Sequence, residues 1–416
     1  MLIQAERVWM APGRIEEGWA LRIENGRIAD VGSLRRLRQG RPPGEAIFDC
    51  GRTVLMPGLV NAHVHLELGW LRDRMSPRGG FASWVKDLKR QQTEELELLQ
   101  EEGFRRQTIQ SIRLGALEML HHGTTAFLDV SNTGLPGEML PEGGPTALAA
   151  LECLGLPRDR AGQILANARS YVRGGDRGRV RRLAVPHALY SCSEPLLKGL
   201  AAEDLHRGLS TIHLMESREE ADLFQLGMGM LRTFVDEICP SNDLLPGEDP
   251  LDRMETFFGT GVPMVAVHGY ALSASQLQRL ARWGASLCLC PSSRRFFLHP
   301  PIPLAEIQKA KLPVCLGTDS LASSPSLSLW TEMRVLHEEN PYLDPGRILQ
   351  WATEGGARAL GLPTGKFAPG LLADWIAVDS ADVPDEHLES FLVAEEPEVR
   401  MVSVAGEILL DGRWEG

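Results

Sequence analysis

The stretch PGLVNAHVHLELGW, Pro57 to Trp70, closes an apolar run with His63 and His65, one residue apart, and follows them with Glu67. On a strand, residues at i and i+2 point to one face, so these imidazoles can grip a single ion. By itself the pair does not separate a metal site from two surface histidines. Three further stretches end apolar runs in the same way: IHLMESREE with His213 and Glu216, VAVHGYALS with His268, and VCLGTDSLASSPS with Asp319. Each also has a plain structural reading, namely an acidic helix start favoured by the helix dipole, a core histidine, and an Asx turn or N-cap. That all of them are only structural is the less economical reading. His65-Leu66-Glu67 also spells the H-x-E of cytidine-deaminase zinc sites, but that class needs P-C-x-x-C. No C-x-x-C occurs, and CLCPSS (Cys288 to Ser293) reads as core strand and loop, so Glu67 is not assigned as a proton shuttle.

The elements that must position these residues are short apolar runs alternating with segments of helical period, the pattern of a parallel α/β fold. Strands are expected to end at LVNAHVH, TTAFLDV, RRLAVPHALY, STIHLME, PMVAVHG, ASLCLCPSS and LPVCLGTDS, with an eighth before Gly155. The segment from Ser83 to Gly123 reads as helix. A (β/α)8 barrel over residues 57–365 is the most economical arrangement, and it collects strand-end residues on one face. Residues 1–56 and 366–416 read as short strands with turn signals at Asn25-Gly26, Ala405-Gly406 and Asp411-Gly412, a small β-sandwich side domain built from both termini.

Composition excludes other classes. The chain has 416 residues, 43% hydrophobic and 24% charged, with a net charge of -12. No basic stripe suits nucleic acid, and the arginines of Arg173–Arg182 read as a solvated loop. No apolar stretch approaches the ~20 residues of a bilayer span and no leader pattern opens the chain, so a cytoplasmic protein is expected. Seven scattered cysteines in apolar runs suit buried thiols, and any metal must then be held by histidine and carboxylate.

Taken in order, PGLVNAHVHLE, IHLMES, VHGYALS, CPSS and GTDSLASSPSLSLWTEMRVL resemble the amidohydrolase superfamily, in its deaminase and chlorohydrolase branch, over nearly the whole chain. That resemblance implies that His63, His65, His213 and Asp319 hold one divalent ion, Zn²⁺ or alternatively Fe²⁺. PHALYSCS lacks the lysine that bridges two metals in binuclear members. It implies further that Asp319 accepts a proton from water, that His268 orients the nucleophile, and that Glu216 shuttles a proton to a ring nitrogen and then to a leaving amine. The segment HVHLELGWLRDRMSPRGGFASW is similar to that of aminodeoxyfutalosine deaminases, which implies a 6-aminopurine nucleoside as substrate, 6-amino-6-deoxyfutalosine first. Glu67, His187, Trp84 and Arg294, the last with Arg295 for a substrate carboxylate, are the expected substrate contacts. Alternatives are deamination of S-adenosylhomocysteine or methylthioadenosine, a chlorohydrolase or cyclic-amide hydrolase, and a non-catalytic binding protein on the same fold. A homodimer is the family expectation.

Overall fold

A computed structural model of the chain describes residues 1–39, 44–259, 261–380 and 382–411. The eight expected barrel strands form: β1 (Leu59–Val64), β2 (Thr124–Ser131), β3 (Thr146–Cys153), β4 (Val180–Pro186), β5 (Ser210–Leu214), β6 (Met264–His268), β7 (Ser286–Leu289) and β8 (Val314–Leu316). They run parallel as β1-β2-β3-β4 and β5-β6-β7-β8. Parallel bridges Ala188–His213 and Val64–Asp319 join these halves at both seams. Every residue of β1, β2, β5, β6, β7 and β8 is buried, which is why they read as mainly apolar runs with no polar–apolar alternation.

The termini build two sheets face to face. One orders the strands Arg27–Ser33, Trp19–Glu24, Leu2–Gln4 and Ile47–Asp49; the other has six strands, three from each end of the chain. Ile3 and Leu21 from the first sheet pack with Val8, Leu55, Trp375 and Met401 from the second. The Asn25-Gly26 turn joins two antiparallel strands with both residues at positive φ, 49° and 75°, as a two-residue hairpin turn requires. Ala405-Gly406 repeats that geometry. The turn expected at Asp411-Gly412 lies outside the described residues.

Two expectations need correction. The long helix α1 (Phe81–His121) is broken at Gln100, with φ 59° and ψ 169°, although no proline or glycine stands there. Gln107 donates to Glu95 at 2.8 Å across the break, so the helix folds back on itself under tertiary constraint. The arginine run is only partly solvated. Arg181 and Arg182 lie in β4, and Arg182 is buried with its guanidinium 5.1 Å from the Tyr171 ring. All seven cysteines are buried, as thiols in apolar runs should be.

Candidate active site

The residues of interest gather at the C-terminal ends of the barrel strands, where barrels of this type carry their chemistry. Met215, His268 and Asp319, at or just after the ends of β5, β6 and β8, have φ of 50°, 73° and 58°. For non-glycine residues such backbone costs about 1–3 kcal/mol each and persists only where the surroundings enforce it. The enforcement is visible at the β1–β8 seam. The amides of Thr318 and Asp319 both donate to the His63 carbonyl, at 3.0 and 3.1 Å, and Asn61 donates to Thr318 Oγ1 at 2.8 Å. After β5, Ser217 caps the helix α2 (Arg218–Leu226) by accepting from the Glu220 amide, while Glu220 accepts from the Glu216 amide at 2.9 Å. The helix start therefore fixes Glu216 over the strand end.

The histidine geometry calls for a positive charge. His65 Nδ1 donates to Val130 O at 2.8 Å and His213 Nδ1 to His187 O at 3.0 Å, which leaves the two Nε2 atoms facing each other at 3.3 Å. Two lone pairs at that distance repel, so a proton or a metal ion must lie between them; metal-ligating histidines spend their other N–H on such carbonyls. His63 lies edge-on to both rings, with centroids 4.7 and 4.8 Å away, and neither of its buried ring nitrogens has a hydrogen-bond partner. Asp319 Oδ1 is 3.8 Å from His65 Nε2. Its Oδ2 accepts from Ser293 Oγ at 2.6 Å and Ser323 Oγ at 2.9 Å. Ligand-competent atoms of His63, His65 and Asp319, and of His63, His213 and His268, come within 4.8 Å of one another. The orphaned His63 nitrogens and the imidazole-plus-carboxylate donor set fit a divalent ion.

Electrostatics agree with that fit. Burial pushes Asp129 and Glu152 up to about 7 and Glu216 well above the carboxylate range, while burial brings His268 down to about 3 and His213 to about 4. Burial opposes charge on His65 as well, yet Glu152, Asp319, Asp129 and Glu67 carry its pKa upward. An excess of buried carboxylates thus surrounds the facing nitrogens, a field that a divalent cation would neutralise.

A cavity of about 310 Å³ opens over this cluster. Glu67, Trp84 and His187 line it together with His65, His213, Glu216, His268 and Asp319. The Glu67 carboxylate is largely spent on one loop, accepting from Ser131 Oγ, Asn132 N and Thr133 Oγ1 at 2.7, 2.7 and 2.6 Å. Arg294 and Arg295 do not line this cavity, which corrects the expected anion contact. Arg294 donates to His299 O at 2.7 Å and pairs with Glu339, and Arg295 pairs with Glu338 at 2.8 Å. The residue of that segment that reaches the site is Ser293. Glu152 was missed. It ends β3 with Oε1 3.3 Å from His213 Nδ1, and Asn132 donates to its other oxygen at 2.8 Å. The available signal was a lone carboxylate closing the apolar run TALAALEC.

Residues 54–409 match the amidohydrolase family model, and the chain belongs to the amidohydrolase family. It is a hydrolytic enzyme of that family. Among sequence relatives, the 5-methylthioadenosine/S-adenosylhomocysteine deaminase of Pyrococcus abyssi is 25% identical over 86% of this chain and 80% of its own length. The 5'-deoxyadenosine deaminase of Methanosarcina mazei is 29% identical over 96% and 89%. Among solved structures, Helicobacter pylori aminofutalosine deaminase in complex with methylthio-coformycin superposes with a TM-score of 0.85 at 21% identity, covering 98% of this chain and all of that one. The family resemblance read from the motifs is borne out, as is the barrel with a β-sandwich side domain.

Proposed function

We propose that the chain is a metal-dependent aminohydrolase that converts a 6-aminopurine nucleoside to its hypoxanthine form with release of ammonia, 6-amino-6-deoxyfutalosine being the preferred candidate substrate. The observation that carries this reading is Glu216. Its carboxyl is buried at the cavity wall, accepts no hydrogen bond among the described residues and sits with Oε1 3.7 Å from His268 Nε2. The names of the relatives and of the structural neighbour, all adenosine-type deaminases, support the same substrate class.

His63, His65, His213 and Asp319 would hold one divalent ion, with zinc the first candidate and iron(II) also suited. Such an ion lowers the pKa of a bound water toward ~7 and so supplies a nucleophile at neutral pH. Asp319 receives the proton of the attacking water, its carboxylate held in place by the Ser293 and Ser323 hydroxyls. His268, kept neutral by burial, donates a hydrogen bond from Nε2 and orients that water. Glu216, kept protonated by burial, gives its proton to the purine ring nitrogen, which makes the adjacent amino-bearing carbon electrophilic. The Glu216 carboxylate so formed takes up the second proton of the added water and passes it to the departing amine, leaving a lactam and ammonia, and the proton held by Asp319 returns Glu216 to its acid form.

Glu216→Gln keeps the shape of the side chain and removes the transferable proton. It should lower ammonia release by about 10²–10⁴-fold, the usual contribution of a general acid–base group, while metal content by elemental analysis stays at the wild-type level. A variant with full activity would remove Glu216 from this role. A second reading, deamination of methylthioadenosine or S-adenosylhomocysteine, is favoured by the sequence relatives' names. Comparing kcat/KM across a panel of 6-aminopurine nucleosides ranks the two, and chloride release from a triazine would point to the chlorohydrolase instead.

A further inference from the structure

The walls of the cavity away from the strand ends are apolar, formed by Leu156, Phe234, Val235 and Ile238. Into this wall the first arm of α1 sets one ammonium. Lys89 is the only lysine or arginine among the residues that line the cavity. Among the described residues its Nζ has no carboxylate partner, and it lies over the Phe234 ring at 4.8 Å. Lys86, one turn earlier and 5.6 Å from the same ring, is paired with Glu237 at 2.9 Å and does not line the cavity. The fold thus supplies a counter-charge to the outer lysine and withholds one from the inner. Partial burial alone shifts the Lys89 amine, downward, and its charge is felt at His187, across the same cavity. Lys89 is exposed where the helix meets the cavity mouth, so its ammonium stays hydrated and is open to an anion that enters along the apolar wall.

We propose that Lys89 pairs with a carboxylate at the end of an apolar substituent on the sugar side of the substrate. The purine ring then meets the strand ends, the tail follows Leu156 and Phe234, and its acid reaches Nζ. A single ammonium on a flexible stem suits a monoanion, whereas a phosphate would require more donors than this wall presents. The expected anion reader therefore moves from Arg294, which Glu339 occupies, to Lys89. The placement of the ring rests on the deaminase reading; the pairing of Lys89 with a carboxylate does not.

Two measurements judge this. The first compares kcat/KM for 5'-thio-5'-deoxyadenosines bearing a 4-carboxybutyl tail and its primary amide. Wild type should favour the carboxylate, and Lys89→Met should cut that preference about tenfold, through KM rather than kcat, as loss of one charge-assisted contact implies. Lys89→Arg should restore most of it. The second titrates 4-phenylbutyrate and 4-phenylbutanamide into wild type and Lys89→Met by calorimetry, with no turnover required. A carboxylate preference in wild type that Lys89→Met erases supports the pairing even if neither nucleoside is deaminated, in which case the deaminase reading alone fails. A wild-type protein that does not prefer the carboxylate, or a Lys89→Met protein that keeps the preference, overturns the proposal.

Discussion

At the scale of single residues, the defining feature is a pair of nitrogens that cannot be left alone. The N–H groups of His65 and His213 are committed to backbone carbonyls, so their Nε2 atoms face each other across 3.3 Å. Much of this was legible in sequence, because His63, His65, His213, His268 and Asp319 each close an apolar run. Glu152 was harder to see, since it stands near the end of β3 without the glycine, second histidine or following glutamate that marks the others. Partners distant in sequence were not legible at all. Glu67 lines the cavity, but nothing near it in sequence shows that its carboxylate also holds Ser131, Asn132 and Thr133, about 65 positions on. Arg294 was read as an anion reader, but Glu339 takes its charge. At this scale Glu67→Gln is the informative change. The amide replaces an acceptor oxygen with a donor among groups that donate, leaving at least one of them unsatisfied. Stability to urea should fall by about 1–3 kcal/mol, and KM should rise as the loop at the cavity wall loosens. Unchanged stability and KM would mean that those hydrogen bonds do not hold the loop.

At the scale of elements, eight strands were legible because strands buried on both faces are written as plain apolar runs. The break in α1 was not, because Gln100 carries no local signal for it. The break arises where the two arms of the helix must serve different neighbours. The first arm brings Phe81, Trp84 and Lys89 to the cavity, and the second packs Ile112, Ala116 and Met119 in a cluster with Val64 and Phe127 of β1 and β2. The seam between β1 and β8 depends on a glycine. A Cβ at Gly317 would stand 2.9 Å from His63 O and 2.8 Å from Cys288 Sγ. Gly317→Ala should therefore part the seam, costing about 1–3 kcal/mol of stability as overpacking does. It should also weaken metal binding, because His63 and Asp319 meet across that seam. Equilibrium unfolding and metal competition would read both effects, and wild-type values in both would show that the seam yields without consequence.

At the scale of the whole molecule, the sandwich and the barrel divide labour along the chain. The sandwich gathers both termini, and the barrel brings five separated stretches of sequence to one end, where buried carboxylates outnumber the charges that oppose them. That excess of acid around facing imidazole nitrogens is the central claim in physical form: a site built around a divalent cation and, on the proposed reading, a 6-aminopurine ring. Metal content and ammonia release, measured on the same preparation, test it most directly. Protein stripped by a chelator should deaminate no 6-aminopurine nucleoside, and added zinc should restore ammonia release in proportion to bound metal, saturating at one ion per chain. Full activity in stripped protein, or a metal-loaded protein that releases no ammonia from any such nucleoside, would contradict the account.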